Sequence, residues 1–230
     1  MTTIPTTMKI NMIFRMLALP ICLILMILWP ANDWTWVEGW LAIIAITLIA
    51  LIAVIWLSIT NPDLIIERMK GNFQTGQSRR DTIIIIVLSL VMLSIFPLAG
   101  FDHANQWMPL SIWFELIGWF FFTFSIYMLY LVFVTNIYLS RSIIVQEEGQ
   151  EQVSTGIYGI IRHPMYGGVI LFTLGIVLIM GSGIALIPTL LSFILIYIRA
   201  LSEEDLLRVE LEGYTEYCEE VRYRLIPGVL

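Results

Sequence analysis

The sequence predicts an all-α, polytopic integral membrane protein with five to six transmembrane helices and a cytoplasmic C-terminal helical tail. Hydrophobic residues make up 59% of the 230 residues, and the mean hydropathy is +0.87. Charged residues make up only 13%, roughly half of their share in soluble domains. Apolar runs as long as a bilayer is thick recur along the chain. We therefore expect one membrane domain over 1–230, with four spans in 1–135 and a polar loop, a helical hairpin and a tail in 136–230.

Six apolar segments are candidate spans. At about 1.5 Å of rise per residue, four of them are long enough to cross a ~30 Å hydrocarbon core, namely 12–29, 39–60, 82–99 and 109–135. The last two, 166–181 and 184–199, are shorter, and the uncharged Gly181-Ser182-Gly183 joins them, which predicts a tight helical hairpin. We expect this hairpin to span the membrane.

The basic residues set the expected orientation. All 12 Lys and Arg residues fall before the first segment, between the second and third, between the fourth and fifth, or from the end of the sixth onward. The connections 30–38, 100–108 and 181–183 contain none, so the positive-inside rule places both termini and both basic loops in the cytoplasm. Lys9 and Arg15 precede the first segment as in a signal peptide, but no small-x-small cleavage site follows, so we expect a retained span.

Composition and missing motifs exclude several classes of protein. The net charge is −6, so no basic surface favours nucleic acid as a partner. The two cysteines, Cys22 and Cys218, indicate no disulfide framework, and two histidines are too few for a histidine metal site. The sequence contains no G-x-G-x-x-G, G-x-x-x-x-G-K-[ST], H-E-x-x-H or G-x-S-x-G motif. A soluble-type dinucleotide fold, a P-loop, a zincin and a serine hydrolase therefore lack support.

Polar residues concentrate after the fourth span, in a loop over 136–166 and in a charged tail from residue 202. Within the loop, Arg162-His163-Pro164 lies between Tyr158 and Tyr166, with glycines on both sides, just before the fifth segment. Such a sequence is poor at forming helix, and at a membrane boundary its backbone needs water or a ligand. The alternative is an interfacial loop, with Arg162 reaching to solvent and Pro164 in the first turn of the span.

A second group of polar residues follows the sixth segment. Arg199 and Glu203 are i and i+4, so they share one helix face where the segment leaves the membrane. A structural pair would favour the acid first, because of the helix dipole, and the reversed order weakens that interpretation without removing it. The tail then contains G-Y-x-x-Y (213–217) and V-R-Y-R-L-I-P-G (221–228), for which an amphipathic helix on the membrane surface is the alternative.

Together these motifs resemble the isoprenylcysteine carboxyl methyltransferase family of integral-membrane methyltransferases. The elements that match, in the order and spacing of the family, are G-x-Y-x-x-x-R-H-P-x-Y-x-G (156–168), R-x-x-x-E-E-x-x-L (199–207), and the two tail motifs. The N-terminal half is similar only over Asn61-Pro62-Asp63-Leu64 and Glu67-Arg68. Phospholipid N-methyltransferases and some sterol reductases have a similar C-terminal layout.

The resemblance implies S-adenosylmethionine as the cofactor, bound at the cytoplasmic end of the last spans. Arg199, or Arg162, would hold the substrate, which is expected to be a lipid or lipid-linked molecule in the membrane, and no metal is implied. The residues that would form the cofactor site are Tyr158, His163, Pro164, Met165, Tyr166 and Glu203, preceded by a wall of Gln150, Glu151, Gln152 and Val153.

The residue types suit this chemistry. The cofactor carries a carboxylate, an ammonium and a sulfonium. A donor such as His163 suits the carboxylate, an anion such as Glu203 suits the ammonium, and aromatic faces suit the sulfonium. A carboxyl acceptor is already ionised and needs an orienting cation rather than a base, so we expect carboxyl methylation. Two alternatives stay open: a phospholipid or amine N-methyltransferase, and a non-catalytic membrane protein or transporter. A transporter would be expected to carry ionisable residues deep in its spans. Here only Glu115 lies well inside a span, and it is within two turns of the outer end.

Overall fold

The computed structural model describes residues 4–69, 79–136 and 153–228, and within these ranges it contains helices and no β-strand. A short 3₁₀ helix covers Gly156–Gly159. The α-helices are α1 (Thr6–Ala31), α2 (Val37–Thr60), α3 (Pro62–Met69), α4 (Arg79–Asn105), α5 (Ile112–Thr135), α6 (Pro164–Ile179), α7 (Leu186–Glu210) and α8 (Tyr214–Glu220). The predicted all-α class is confirmed.

Five described helices are long and apolar enough to cross a membrane: α1, α2, α4, α5 and α7. Large apolar side chains such as Phe14, Ile52 and Phe120 are exposed on their outer faces, as expected for surfaces in contact with lipid. A polytopic membrane protein is therefore confirmed, with five candidate spans of the five to six predicted. The remaining candidate, α6, has 16 residues and extends only about 24 Å.

Helix α6 packs antiparallel along α5 at backbone distance. A Cβ atom added to Gly175 would lie 2.7 Å from the backbone nitrogen of Phe122, and one added to Gly118 would lie 2.8 Å from the carbonyl oxygen of Gly175. Further along, a Cβ atom at Gly168 would meet Leu129 at 2.8 Å. Small residues at such crossings let membrane helices approach closely. Their spacing keeps α6 beside α5 over most of its length.

The connections α4–α5 and α6–α7 meet at one end of the bundle, which we call the turn end. The backbone N–H of Leu110 donates to the carbonyl of Gly181 at 2.8 Å, and the N–H of Gly183 donates to the carbonyl of Met108 at 2.9 Å. The α6–α7 hairpin therefore reaches the same level as the connection between two candidate spans. This geometry agrees with the expected hairpin, whose orientation in the membrane stays a prediction.

A buried carboxylate fixes the turn end. Asp102, which is 2% exposed, accepts hydrogen bonds from the hydroxyl of Ser182 at 2.5 Å, from the N–H of Met108 at 2.8 Å and from the N–H of Ile184 at 3.2 Å. Donors on both connections thus surround one anion. Leaving a buried carboxylate without its hydrogen-bond donors costs free energy, so Asp102 holds the two connections together.

The α1–α2 connection is attached to the same end. His103 Nε2 lies 3.0 Å from Asp33 Oδ2, and the His103 ring stacks on Trp36 with 4.2 Å between ring centroids. Asp33 also accepts hydrogen bonds from the hydroxyl and the backbone N–H of Thr35. The hydrogen bonds from Thr35 and His103 lower the pKa of Asp33 to about 2.

The main apolar core occupies the half of the bundle next to the turn end. It combines buried side chains of α1, α2, α4, α5 and α6, among them Leu28, Ala42, Ile95, Phe122 and Val177. At the opposite end α4 begins, α5 ends, α6 begins and α7 ends. The described charged residues with several ionic partners collect at this opposite end, which we call the site end.

Candidate functional site

The backbone at the start of α6 is held by the C-terminal segment (221–228). Ile161 and Tyr223 form a parallel β-bridge, in which the N–H of Arg162 donates to the carbonyl of Tyr223 and the N–H of His163 donates to the carbonyl of Arg224, both at 2.9 Å. Pro164 is the first residue of α6, the position where its missing N–H costs nothing. The predicted place of Pro164 is confirmed, and the tail folds back onto the loop.

A glycine permits this close approach. A Cβ atom added to Gly167 would lie 3.1 Å from the carbonyl oxygen of Leu225, in the C-terminal segment. A side chain there would require the segment to shift by a few tenths of an ångström. Gly167 is therefore compatible with the close pairing of the C-terminal segment with residues 161–163, in which Arg162 and His163 contact Glu204 of α7.

Four side chains form an ionic cluster, which we call the Glu204 cluster: the buried Arg162, His163 and Glu204, and the partly exposed Arg224. Glu204 is 3% exposed and lies at its centre. Its Oε1 atom is 3.1 Å from Arg162 Nε and 3.3 Å from His163 Nε2, and Arg224 Nε donates to both carboxylate oxygens at 3.2 and 3.1 Å. Since Arg162 is only 7% exposed, the interpretation in which it reaches to solvent is wrong.

Glu203 lies on the other side of His163. The hydroxyl of Tyr166 donates to Glu203 Oε2 at 2.7 Å, and His163 Nδ1 lies 3.8 Å from the same oxygen. The rings of His163 and Tyr166 stack with 5.6 Å between centroids. The imidazole therefore stands between two carboxylates, one buried and one, Glu203, with 28% of its side chain exposed. The structure brings together three of the predicted cofactor residues.

Arg199 lies next to this group, one helical turn before Glu203. The charged carbon of its guanidinium is 5.8 Å from the centroid of the Tyr166 ring. Its Nε atom is 3.3 Å from Oδ1 of Asp81, in the first turn of α4, and both side chains are largely buried. Helix α7 continues without a break to Glu210, past the predicted end of the span at residue 199, because no helix-breaking residue occurs before Gly213.

Tyr158 has a connecting position. Its hydroxyl accepts a hydrogen bond from the side-chain amide of Asn136 at 3.1 Å, and its carbonyl accepts one from the hydroxyl of Tyr217 at 2.7 Å. It thus joins the end of α5 to the 3₁₀ helix and α8. Of the other predicted cofactor residues, Met165 and Val153 are half-buried and Pro164 is buried, while Gln150, Glu151 and Gln152 lie outside the described residues.

The phenols of α8 complete the surroundings of the Glu204 cluster. Burial raises the pKa of Tyr214 and of Tyr217 above the ordinary value, so both phenols stay neutral. Burial acts to lower the pKa of Arg224, but the hydrogen bonds to Glu204 outweigh it and raise that pKa. Among the described residues the buried hydroxyl of Tyr214 has no hydrogen-bond partner. A buried donor of this kind fits a site that a polar ligand completes.

Sequence reasoning missed two residues of this site, since it assigned no role to Arg224 or Asp81. It included Glu204 only together with Glu203, as a group that could accept a proton in amine methylation. The basic residues of the V-R-Y-R motif were an available signal for Arg224. Nothing in the local pattern marks Asp81, because its partner is on a distant helix.

The segment that carries most of the site matches a known family. A family model described as phospholipid methyltransferase matches residues 116–210, which extend from α5 to the end of α7. A comparison with curated proteins found no match to the chain. The family match supports a membrane methyltransferase, in agreement with the class predicted from the sequence. The finer resemblance to isoprenylcysteine carboxyl methyltransferases stays a prediction, and so do the assigned site residues.

Proposed function

We propose that the protein is an S-adenosylmethionine-dependent methyltransferase that acts on a carboxylate of a lipid-linked or prenylcysteine-like acceptor. The observation that carries this proposal is the meeting of His163, Tyr166, Glu203 and the Glu204 cluster at one end of the helices. Most of this group falls within the segment similar to phospholipid methyltransferases. An ionic site next to lipid-facing helices suits a polar cofactor and an acceptor that stays in the membrane.

The residues present fit the cofactor. S-adenosylmethionine, when bound, supplies a methyl group on a positively charged sulfur. Glu203, which is partly exposed, would bind the ammonium group, and Tyr214, with its unpaired buried hydroxyl, would donate to a polar group. Tyr166, whose hydroxyl donates to Glu203, would keep that carboxylate in place. The Glu204 cluster would hold His163 in place as a further donor.

Arg199 would orient the acceptor. A carboxylate is ionised at neutral pH, so its methylation needs no general base, only a cation that holds the oxygen in line. Arg199 is next to Tyr166 and on the helix face that leads to Glu203. A planar guanidinium matches a carboxylate better than an ammonium does.

A second candidate is methylation of a phospholipid amine. The description of the matching family favours it, and so does the anion Asp81 beside Arg199, which would attract a cationic group and reduce the attraction of Arg199 for a carboxylate. An amine must lose a proton before transfer, and His163 and Glu203 are the nearby groups that would accept it.

Thermal unfolding with S-adenosylhomocysteine tests the cofactor. We expect a higher melting temperature for the purified protein in detergent, since a ligand of the native state stabilises it. Glu203→Gln and His163→Ala should reduce this shift, whereas the control Asp205→Asn, an exposed acid two residues from Glu203, should retain it. A folded protein with no shift at millimolar ligand would reject the methyltransferase.

Transfer of labelled methyl distinguishes the acceptors. With a prenylcysteine probe, label that mild base releases indicates a methyl ester, and label that resists base on phosphatidylethanolamine indicates an N-methyl group. For a carboxylate acceptor, Arg199→Lys should lose much of the activity and Arg199→Ala nearly all, while both retain the thermal shift with S-adenosylhomocysteine. Base-stable label with no dependence on Arg199 would establish the amine candidate instead.

A further inference from the structure

We propose that Asp81 is a positioning residue that weakens the hold of Arg199 on the acceptor carboxylate before methyl transfer. This inference rests on the proposed carboxyl methyltransferase and adds a determinant of acceptor specificity to it. Asp81 lies in α4, outside the segment 116–210 that matches the family model, so that match assigns it no role.

The geometry places Asp81 directly behind the acceptor-binding group. Asp81 is 3% exposed, and its Oδ1 atom is 3.3 Å from Arg199 Nε. Arg199 in turn lies over the ring of Tyr166, whose hydroxyl donates to Glu203. An acceptor bound to Arg199 near this ring would therefore lie close to two anions, Asp81 of α4 and Glu203 of α7. Its carboxylate would meet a guanidinium whose charge Asp81 already offsets.

The proposed reaction neutralises the acceptor carboxylate, so the effect of Asp81 differs between the bound substrate and the transition state. A carboxylate oxygen forms a bond to the methyl carbon while the carbon–sulfur bond breaks, and the electron pair of that bond stays on sulfur. The products are a neutral ester and a neutral thioether, and no proton moves. Negative charge on the acceptor oxygen is therefore smaller in the transition state than in the bound substrate.

A cation that binds the substrate carboxylate more strongly than the transition state slows transfer. Arg199 without a partner would be such a cation in this largely buried position. Asp81 repels the full charge of the bound carboxylate more than the reduced charge of the transition state. It therefore raises the KM for the acceptor and raises kcat as well. At an effective dielectric constant of about 20 and a separation of about 7 Å, the effect on KM is roughly fiftyfold.

Steady-state kinetics of the full-length protein in detergent micelles test this inference, with N-acetyl-S-farnesylcysteine as the carboxylate probe. We expect Asp81→Asn to lower the KM for the probe roughly fiftyfold and to lower kcat severalfold, a combination typical of lost ground-state destabilisation. Asp81→Glu should keep both close to the wild-type values. The matched control is Asp102→Asn, which removes a buried aspartate of the same helix at the turn end. It should lower the melting temperature without changing the KM.

A second measurement uses the wild-type protein, so it does not depend on the folding of Asp81→Asn. The probe and its uncharged carboxamide should bind within about threefold of each other, because Asp81 offsets the charge of Arg199. A carboxylate that binds about tenfold more tightly than the amide would overturn the inference, and so would an unchanged or higher KM in Asp81→Asn. A thermal shift with S-adenosylhomocysteine and methylated probe would still support the proposed function in that case. Loss of both would reject the proposed function itself, and transfer to phosphatidylethanolamine alone would reject the role of Asp81.

Discussion

Replacing Glu204 by glutamine removes the anion that Arg162, His163 and Arg224 share. The shape of the side chain is kept, and its amide oxygen still accepts a hydrogen bond, but Arg162 stays buried with its central anionic partner removed. Removing one partner of a buried ion pair costs about 3–5 kcal/mol. Because the glutamine oxygen retains part of the bonding, we expect a loss of about 3 kcal/mol in the free energy of unfolding.

For a chain of this length, 1 kcal/mol corresponds to about 2–4 °C, so the melting temperature should fall by about 6–12 °C. Tryptophan fluorescence during heating of the ligand-free protein in detergent measures it. The control is Asp205→Asn, which removes the next, exposed acid of α7 and should change the free energy of unfolding by less than about 0.5 kcal/mol. Adding Arg162→Gln to Glu204→Gln should regain part of the lost stability, because it removes the uncompensated cation. If Glu204→Gln is no less stable than Asp205→Asn, Glu204 is not the centre of the cluster.

Three further predictions concern packing, pH and topology. Gly175→Leu should destabilise the protein by at least about 1–3 kcal/mol, since its Cβ would meet the backbone of Phe122 at 2.7 Å. In thermal unfolding, the effects of Gly175→Ala and Gly118→Ala should not add, because both variants alter the same helix crossing. The pKa of Asp33 is about 2 in the folded protein against about 3.9 in the unfolded chain. The ionised Asp33 therefore stabilises the fold above about pH 4, and this stabilisation is lost as pH falls from about 4 to about 2. Asp33→Asn should reduce the pH dependence of the melting temperature in that window. After Cys22→Ala and Cys218→Ala, a membrane-impermeant thiol reagent should label Asn105→Cys from outside and Thr215→Cys only from the cytoplasm, and labelling of both from one side would reject the predicted orientation.

The residue pattern within single segments was sufficient to predict the helices and where one of them begins. Apolar length predicted the spans, and the residues around Pro164 predicted the start of α6. The i, i+4 spacing of Arg199 and Glu203 correctly predicted one shared helix face. The same spacing gave Glu203 more weight than Glu204, because one residue along a helix turns the side chain by about 100° and only the neighbouring elements decide which face is buried.

Contacts between distant segments explain what the sequence did not predict. The tail was compatible with a helix on the membrane surface, whereas residues 223 and 224 pair with the backbone of 161–163. Asp81 reaches Arg199 from α4, and Asp102 reaches the α6–α7 connection. Each of these contacts joins residues that lie far apart in the chain. Their pairing depends on how helices pack, which the periodicity of one segment does not contain.

The bridge between residues 161 and 223 orders the events of biosynthesis. Arg224 follows every candidate span in the chain, so it is the last member of the Glu204 cluster to be synthesised. Until then Glu204 lacks one of its cations, and residues 161–163 lack their backbone partners. A chain interrupted after α7 would therefore lack both Arg224 and the segment that pairs with residues 161–163. The Glu204 cluster is therefore complete only in chains whose synthesis has passed Arg224.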